Sequence, residues 1–129
     1  MKAAALLLVL TGVLVATIAC AGTLTTSLVI SNGTTVTGVT CDVTNIGSNP
    51  TTVTAVQLFD ASGTDIAFDS NSCPVSPATL APHATCEGIK VPFSTGGYCT
   101  ATAGGKFRLS LNLLTTPDNN TIETVQGTK

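Results

Sequence analysis

Tryptophan is absent, and tyrosine, histidine and methionine occur once each, as Tyr98, His83 and Met1. Each scarcity excludes something. A blue-copper centre needs two histidines and a cysteine, and a copper–zinc dismutase site needs more histidines still, so His83 alone rules out both. A lone histidine also lacks the partners that a catalytic base requires, namely an activated nucleophile and an orienting acid. No G-x-S-x-G elbow is present to supply that nucleophile. Charged residues make up only 9% of the chain, with five basic against seven acidic, so no basic footprint for nucleic acid exists. Helical periodicity is missing throughout, and so is any repeat at a fixed period.

What is present begins with an address-like segment. Lys2 is followed by a nearly unbroken apolar run, Ala3 to Ile18, and then by Ala19-Cys20-Ala21, a small-x-small pattern suited to a signal peptidase. The run is short beside the roughly 20 residues of a membrane span. We therefore expect a signal peptide over 1–21 and one domain over 22–129. Thr17-Ile18-Ala19-Cys20 partly matches a lipobox, although the usual leucine is missing. The alternative is thus a lipoprotein signal ending before Cys20, with Cys20 lipidated as the sole membrane attachment.

Cys41, Cys73, Cys86 and Cys99 remain, and four cysteines in an exported domain imply two disulfides with three pairings open. Zinc sites favour close pairs such as C-x2-C, whereas the closest of these four are separated by a dozen residues. No metal or cofactor is expected. Alternate residues of a strand share a face. Val39, Cys41 and Val43 share one phase, and so do Cys99, Ala101 and Ala103; both look core-facing. On the strand after Pro82 the inward phase reads as Ile89, Val91 and Phe93, which leaves Cys86 with Gly88 and Lys90 on the other side. Cys73 lies in the loop Asn71-Ser72-Cys73-Pro74. Phase therefore predicts Cys41–Cys99 through the core and Cys73–Cys86 as a surface clip.

Strand signals recur between turn residues, as in a sandwich. They cover 24–31, 36–45, 53–60, 64–68, 85–93, 98–103, 106–114 and 122–126, with a long connection over 69–82. Asn32-Gly33 and Gly104-Gly105 read as hairpin turns. The clearest strand alternates Phe107, Leu109, Leu111 and Leu113 with Arg108, Ser110 and Asn112. The fold class is all-β, a sandwich of about seven to eight antiparallel strands.

The run Cys41-x-Val43-x-Asn45-Ile46-Gly47, with Val53 to Asp60, Gly63, Leu80-x-Pro82 and Tyr98-Cys99, resembles bacterial exported immunoglobulin-like (CARDB-like) β-sandwich domains. The likeness spans most of residues 22–129 and rests on strand and turn punctuation, which speaks to fold more than to activity. It implies an immunoglobulin-like sandwich. Antibody-type domains place a tyrosine two residues before the second core cysteine and a tryptophan nearby; here Tyr98 adjoins Cys99 and no tryptophan exists.

Other candidates read more plainly as turns. Asp60, Asp65 and Asp69 lack the spacing and the closing glutamate of an EF-hand, and their Asp/Gly content suits a hairpin. Glu87 and Glu123 are the only glutamates for a glycosidase pair. Gly104-Gly105-Lys106-Phe107 opens a strand, not the helix of a phosphate loop. Asn32-Gly33-Thr34 and Asn119-Asn120-Thr121 are glycosylation sequons only in a eukaryotic host. The expected function is a non-enzymatic exported structural or binding module, secreted or periplasmic, meeting a protein or cell-surface partner through a sheet edge or end loops. The alternative is a small protease inhibitor or hydrolase-associated domain that presents the disulfide-clipped 69–82 loop.

Overall fold

A computed structural model describes residues 21–28, 36–73, 78–93, 96–115 and 120–128, with no side-chain placement for 78, 115 and 120–128. No helix forms among the described residues. Ten strands do: β1 (Gly22–Thr25), β2 (Val36–Asn45), β3 (Thr51–Asp60), β4 (Asp65–Ile66), β5 (Ser70–Asn71), β6 (Ala78–Leu80), β7 (Thr85–Lys90), β8 (Gly97–Ala103), β9 (Phe107–Thr115) and β10 (Asn120–Thr128). They build two antiparallel sheets. One runs β1-β8-β3-β4, with β6 also on β3; the other runs β10-β9-β2-β7-β5.

The two inner faces are unequal, and the sequence explains why. Strand β8 turns Gly97, Cys99, Ala101 and Ala103 inward, all small; β9 turns Phe107, Leu109, Leu111 and Leu113 inward, all large. Large side chains of one sheet thus fill the space left by small ones of the other, which is how two pleated faces pack at interior density. Val39, Cys41 and Val43 of β2 extend the second sheet's apolar face. On β3 a bulge between Val53 and Ala55 shifts the phase by one residue. Val53 points inward before it and Leu58 after it, both fully buried, while Thr54 is exposed.

Two glycines are fixed by close approach. A Cβ on Gly97 would lie 2.2 Å from the Phe59 carbonyl oxygen and 2.8 Å from Phe93 Cζ. A Cβ on Gly88 would lie 2.7 Å from the Phe68 ring, which occupies the space over β7.

Several expectations are corrected. The hairpin at Gly104-Gly105 does not form, because β8 and β9 belong to opposite sheets; β1 and β2 also belong to opposite sheets, and Asn32 and Gly33 lie outside the described residues. The first strand is Gly22–Thr25 rather than 24–31, and Thr26 continues it through a backbone bond to the Cys99 carbonyl and a hydroxyl that accepts from the Cys99 N–H. The 69–82 connection is not one loop: β5 pairs with β7, and β6 with β3. The inward phase of β7 is also reversed. Register sets Cys86 opposite Val43 and Gly88 opposite Cys41, so Cys86 and Gly88 share the core face with those residues. Ile89 is only half-buried and Val91, past the strand's end, is 50% exposed; Phe93 alone of the expected three is buried.

Candidate functional site

The cysteines define the frame on which any site is carried. Cys41 of β2 and Cys99 of β8, both fully buried, join the two sheets across 58 residues. Cys73, just after β5, joins Cys86 of β7 across 13. This second bridge is the one expected, but it is not a surface clip: Cys73 is 1% and Cys86 3% exposed. The cause is the register of β7, which turns Cys86 inward. Around it the Ser72 N–H donates to the Glu87 carbonyl at 2.8 Å, and the Ser72 hydroxyl accepts from the Glu87 N–H at 2.8 Å. Cys20 lies outside the described residues.

Loops gather at the end of the sandwich where β2 finishes. Asn45 organises them. Its side chain is fully buried, with Nδ2 within hydrogen-bond distance of the carbonyls of Asn49, Leu80 and Ala81, and Oδ1 accepting from the Gly47 N–H. Its carbonyl accepts from the His83 N–H, and its own N–H donates to Ala84. The neighbouring Ile46 N–H donates to the Lys106 carbonyl. One side chain therefore positions the β2–β3 loop and the 81–84 turn, while the Ile46 backbone ties in the approach to β9. Beside it lies an open hollow of about 400 Å³ lined by residues 46–51, Gly105 and Lys106. A second, of about 430 Å³, shares Asn49, Pro50 and Gly105 and reaches Ala21, Thr52 and Thr54. Ile46 and Lys106 are exposed at this end.

The residues weighed for chemistry are not brought together. His83 is an exposed turn residue with φ 62°, left-handed for a non-glycine. Asp60 closes the β3–β4 turn. Its Oδ1 accepts from the Ser62 hydroxyl, the Ser62 N–H and the Thr64 N–H, and these bonds, the Ser62 hydroxyl's first, hold its carboxyl below the usual range. Asp65 accepts from Gln57 at 3.3 Å. Asp69 pairs with Lys90 at 2.7 Å and accepts from the Val91 N–H; the Lys90 bond is the main reason its carboxyl is lowered too. Among the described residues, no three His, Cys, Asp or Glu side chains are grouped so as to hold a metal. Glu123 falls on β10, where side chains are outside the described residues, as are Asn32 and Asn119.

Two surface arrangements escape sequence reasoning. Phe59 and Tyr98, register partners on β3 and β8, stack with ring centroids 5.2 Å apart on the outer face of the first sheet. Asp42 and Glu87, partners on β2 and β7, stand side by side on the outer face of the second. Both depend on which strands are neighbours, a fact that alternation within a strand does not carry. No protein family, curated protein or solved structure matches this chain.

Proposed function

We propose that this chain is a non-enzymatic, exported structural or binding module of the cell envelope or extracellular space, with an immunoglobulin-like sandwich as its frame. The observation that carries this reading is the pair of disulfides. Such bridges persist in oxidising compartments and are rare in the cytosol, and here one ties the two sheets together through the core. The inter-sheet bridge and the antiparallel layers support an immunoglobulin-like type. The placement of β9 beside β2, rather than beside β8, sets it apart from the antibody arrangement.

Recognition is assigned to the Asn45-anchored end loops. Loops held by a rigid scaffold are where binding residues concentrate; here the buried Asn45 side chain holds the 46–50 loop from beneath, and backbone bonds tie Gly104 to Thr52 and Lys106 to Ile46. Two of the carboxylates considered as calcium ligands are engaged within the protein instead: Asp60 with Ser62 and Thr64, Asp69 with Lys90 and Val91. A protein or cell-surface partner is expected, with Cys20 as the sole lipid attachment if it is retained.

Two measurements test the proposal. Intact mass of the protein recovered from its host distinguishes cleavage near Ala21 from a lipidated Cys20. Recovery of the uncleaved chain from the cytosol, with four free thiols, would overturn export. Capture of a partner by the native protein, lost when Ile46 and Lys106 are both replaced by Ser but kept in Asp65→Asn, is the result expected for end-loop recognition; equal capture by both variants would move the surface elsewhere.

A further inference from the structure

The outer face of the second sheet holds two carboxyl groups that the proposed end-loop surface leaves unused. Asp42 and Glu87 are direct cross-strand partners, so their side chains leave the sheet on one face, with Cβ atoms roughly 5 Å apart. Like charges so placed repel. The groups around them are mostly neutral. From β2 the face carries Thr40 and Thr44, from β7 Thr85 and Ile89, and from β9 Arg108, Ser110 and Asn112. β10 continues the sheet beyond β9, with Thr124, Gln126 and Thr128 as the register partners of Asn112, Ser110 and Arg108. On the far side of β7, Ser72 bonds only the backbone of Glu87. Arg108 is the face's cation; it lies opposite Thr44, one step along from Asp42. The one ion pair among the described residues is Lys90–Asp69, which includes neither carboxyl.

Asp42 is also half-satisfied. Asn112 donates to its Oδ2 at 2.7 Å, while Oδ1 is buried without a hydrogen-bond partner. Thr40 and Ser110 beside it are buried as well. An ionised carboxylate only accepts, whereas a protonated one donates. A proton on this pair therefore removes one charge, ends the repulsion and supplies a donor where none exists.

We propose that Asp42 and Glu87 act as one proton-binding unit, and that taking up this proton makes the sandwich more stable in weak acid than at neutral pH. Burial above all raises the Asp42 carboxyl, against the opposing bonds from Thr40 and Asn112; burial and then the Asp42 charge raise Glu87. Groups raised in the fold bind protons there that the unfolded chain has released. Their stabilisation is complete below the unfolded values and is lost as pH rises through the folded ones. Asp60 and Asp69 act oppositely, but their contribution fades only once pH falls below the ordinary carboxyl range, about pH 4. The gain thus grows as pH falls from 7 toward the ordinary carboxyl range. Each unit by which a folded value exceeds the unfolded one is about a tenfold gain in the folded-to-unfolded ratio, and the two groups titrate as a pair.

Urea unfolding of the disulfide-intact protein tests this. The wild-type midpoint is expected to move to higher urea from pH 7 to about pH 5. Glu87→Gln is expected to raise the pH 7 midpoint and to shrink that movement. A wild-type midpoint that is flat or falls on acidification, or a Glu87→Gln curve parallel to wild type, would overturn the proposal. Carbon-13 carboxyl shifts of the wild type give a readout that needs no variant. Asp42 and Glu87 titrating above Asp60 and Asp69 supports the unit; both remaining ionised to the ordinary range refutes it.

Discussion

Asn45 holds together an end of the molecule that apolar packing leaves alone. Its amide meets three backbone carbonyls and its oxygen one N–H, and Asn45 itself has zero exposure. Truncation would leave buried acceptors without donors, which is costlier than losing a contact. Asn45→Ala is expected to destabilise the protein by about 2–3 kcal/mol, and Asn45→Asp by a similar amount, because a carboxylate cannot donate to the carbonyls of Asn49, Leu80 and Ala81. Urea midpoints check both. Gly97 makes the opposite demand, for the absence of atoms. Gly97→Ala places a methyl against the Phe59 carbonyl, a backbone group that cannot swing aside, and is expected to cost at least about 1–3 kcal/mol. Asn45 was visible in the sequence only as part of a strand-to-turn pattern. Its role was not, because the carbonyls it meets lie as much as 36 residues away.

At the scale of elements, β8 and β9 form a matched pair of stripes, small against large. Enlarging the small stripe is as damaging as shrinking the large one. Ala101→Leu is expected to cost about 1–3 kcal/mol by overpacking, and Leu111→Ala about 2–5 kcal/mol by opening a cavity, both measurable by thermal or urea unfolding. These stripes were legible in advance, since alternation in β8 and β9 reports the buried face directly. Strand β7 misled for an instructive reason. Its larger apolar residue, Ile89, falls on the side away from the core and Val91 lies past its end, while the core side is taken by Cys86 and by Gly88 under the Phe68 ring. A glycine covered by a ring from elsewhere leaves no hydrophobic signature of its own. The disulfide partners still came out correctly, because two of the four cysteines lay in strands with clear phase. Turn residues likewise marked where strands end but not which sheet follows, so Gly104-Gly105 read as a hairpin and is a crossing between sheets.

Across the whole molecule, the chain changes sheets at most of its turns. Among the described strands, only β3–β4 and β9–β10 are sequential neighbours in one sheet. The first strand pairs with the eighth, Gly22 opposite Ala103. Such distant pairings must close long loops before they gain anything, so folding is expected in the millisecond-to-second range of all-β domains. The bridges constrain the unfolded chain unequally: on chain entropy alone Cys41–Cys99 contributes about 4 kcal/mol and Cys73–Cys86 about 3 kcal/mol. Replacing both members of each pair by Ala, in separate variants, is expected to lower stability in that order. Cys41–Cys99 has a mechanical consequence too. Stretched between its termini, the chain can lengthen only outside the bridge, and the 58-residue interval, worth roughly 200 Å of extended polypeptide, stays withheld until the bond is reduced. A tether containing this module would therefore yield a short extension under an oxidising load and a far longer one after reduction, which makes it a stiff coupling whose compliance is set by redox conditions.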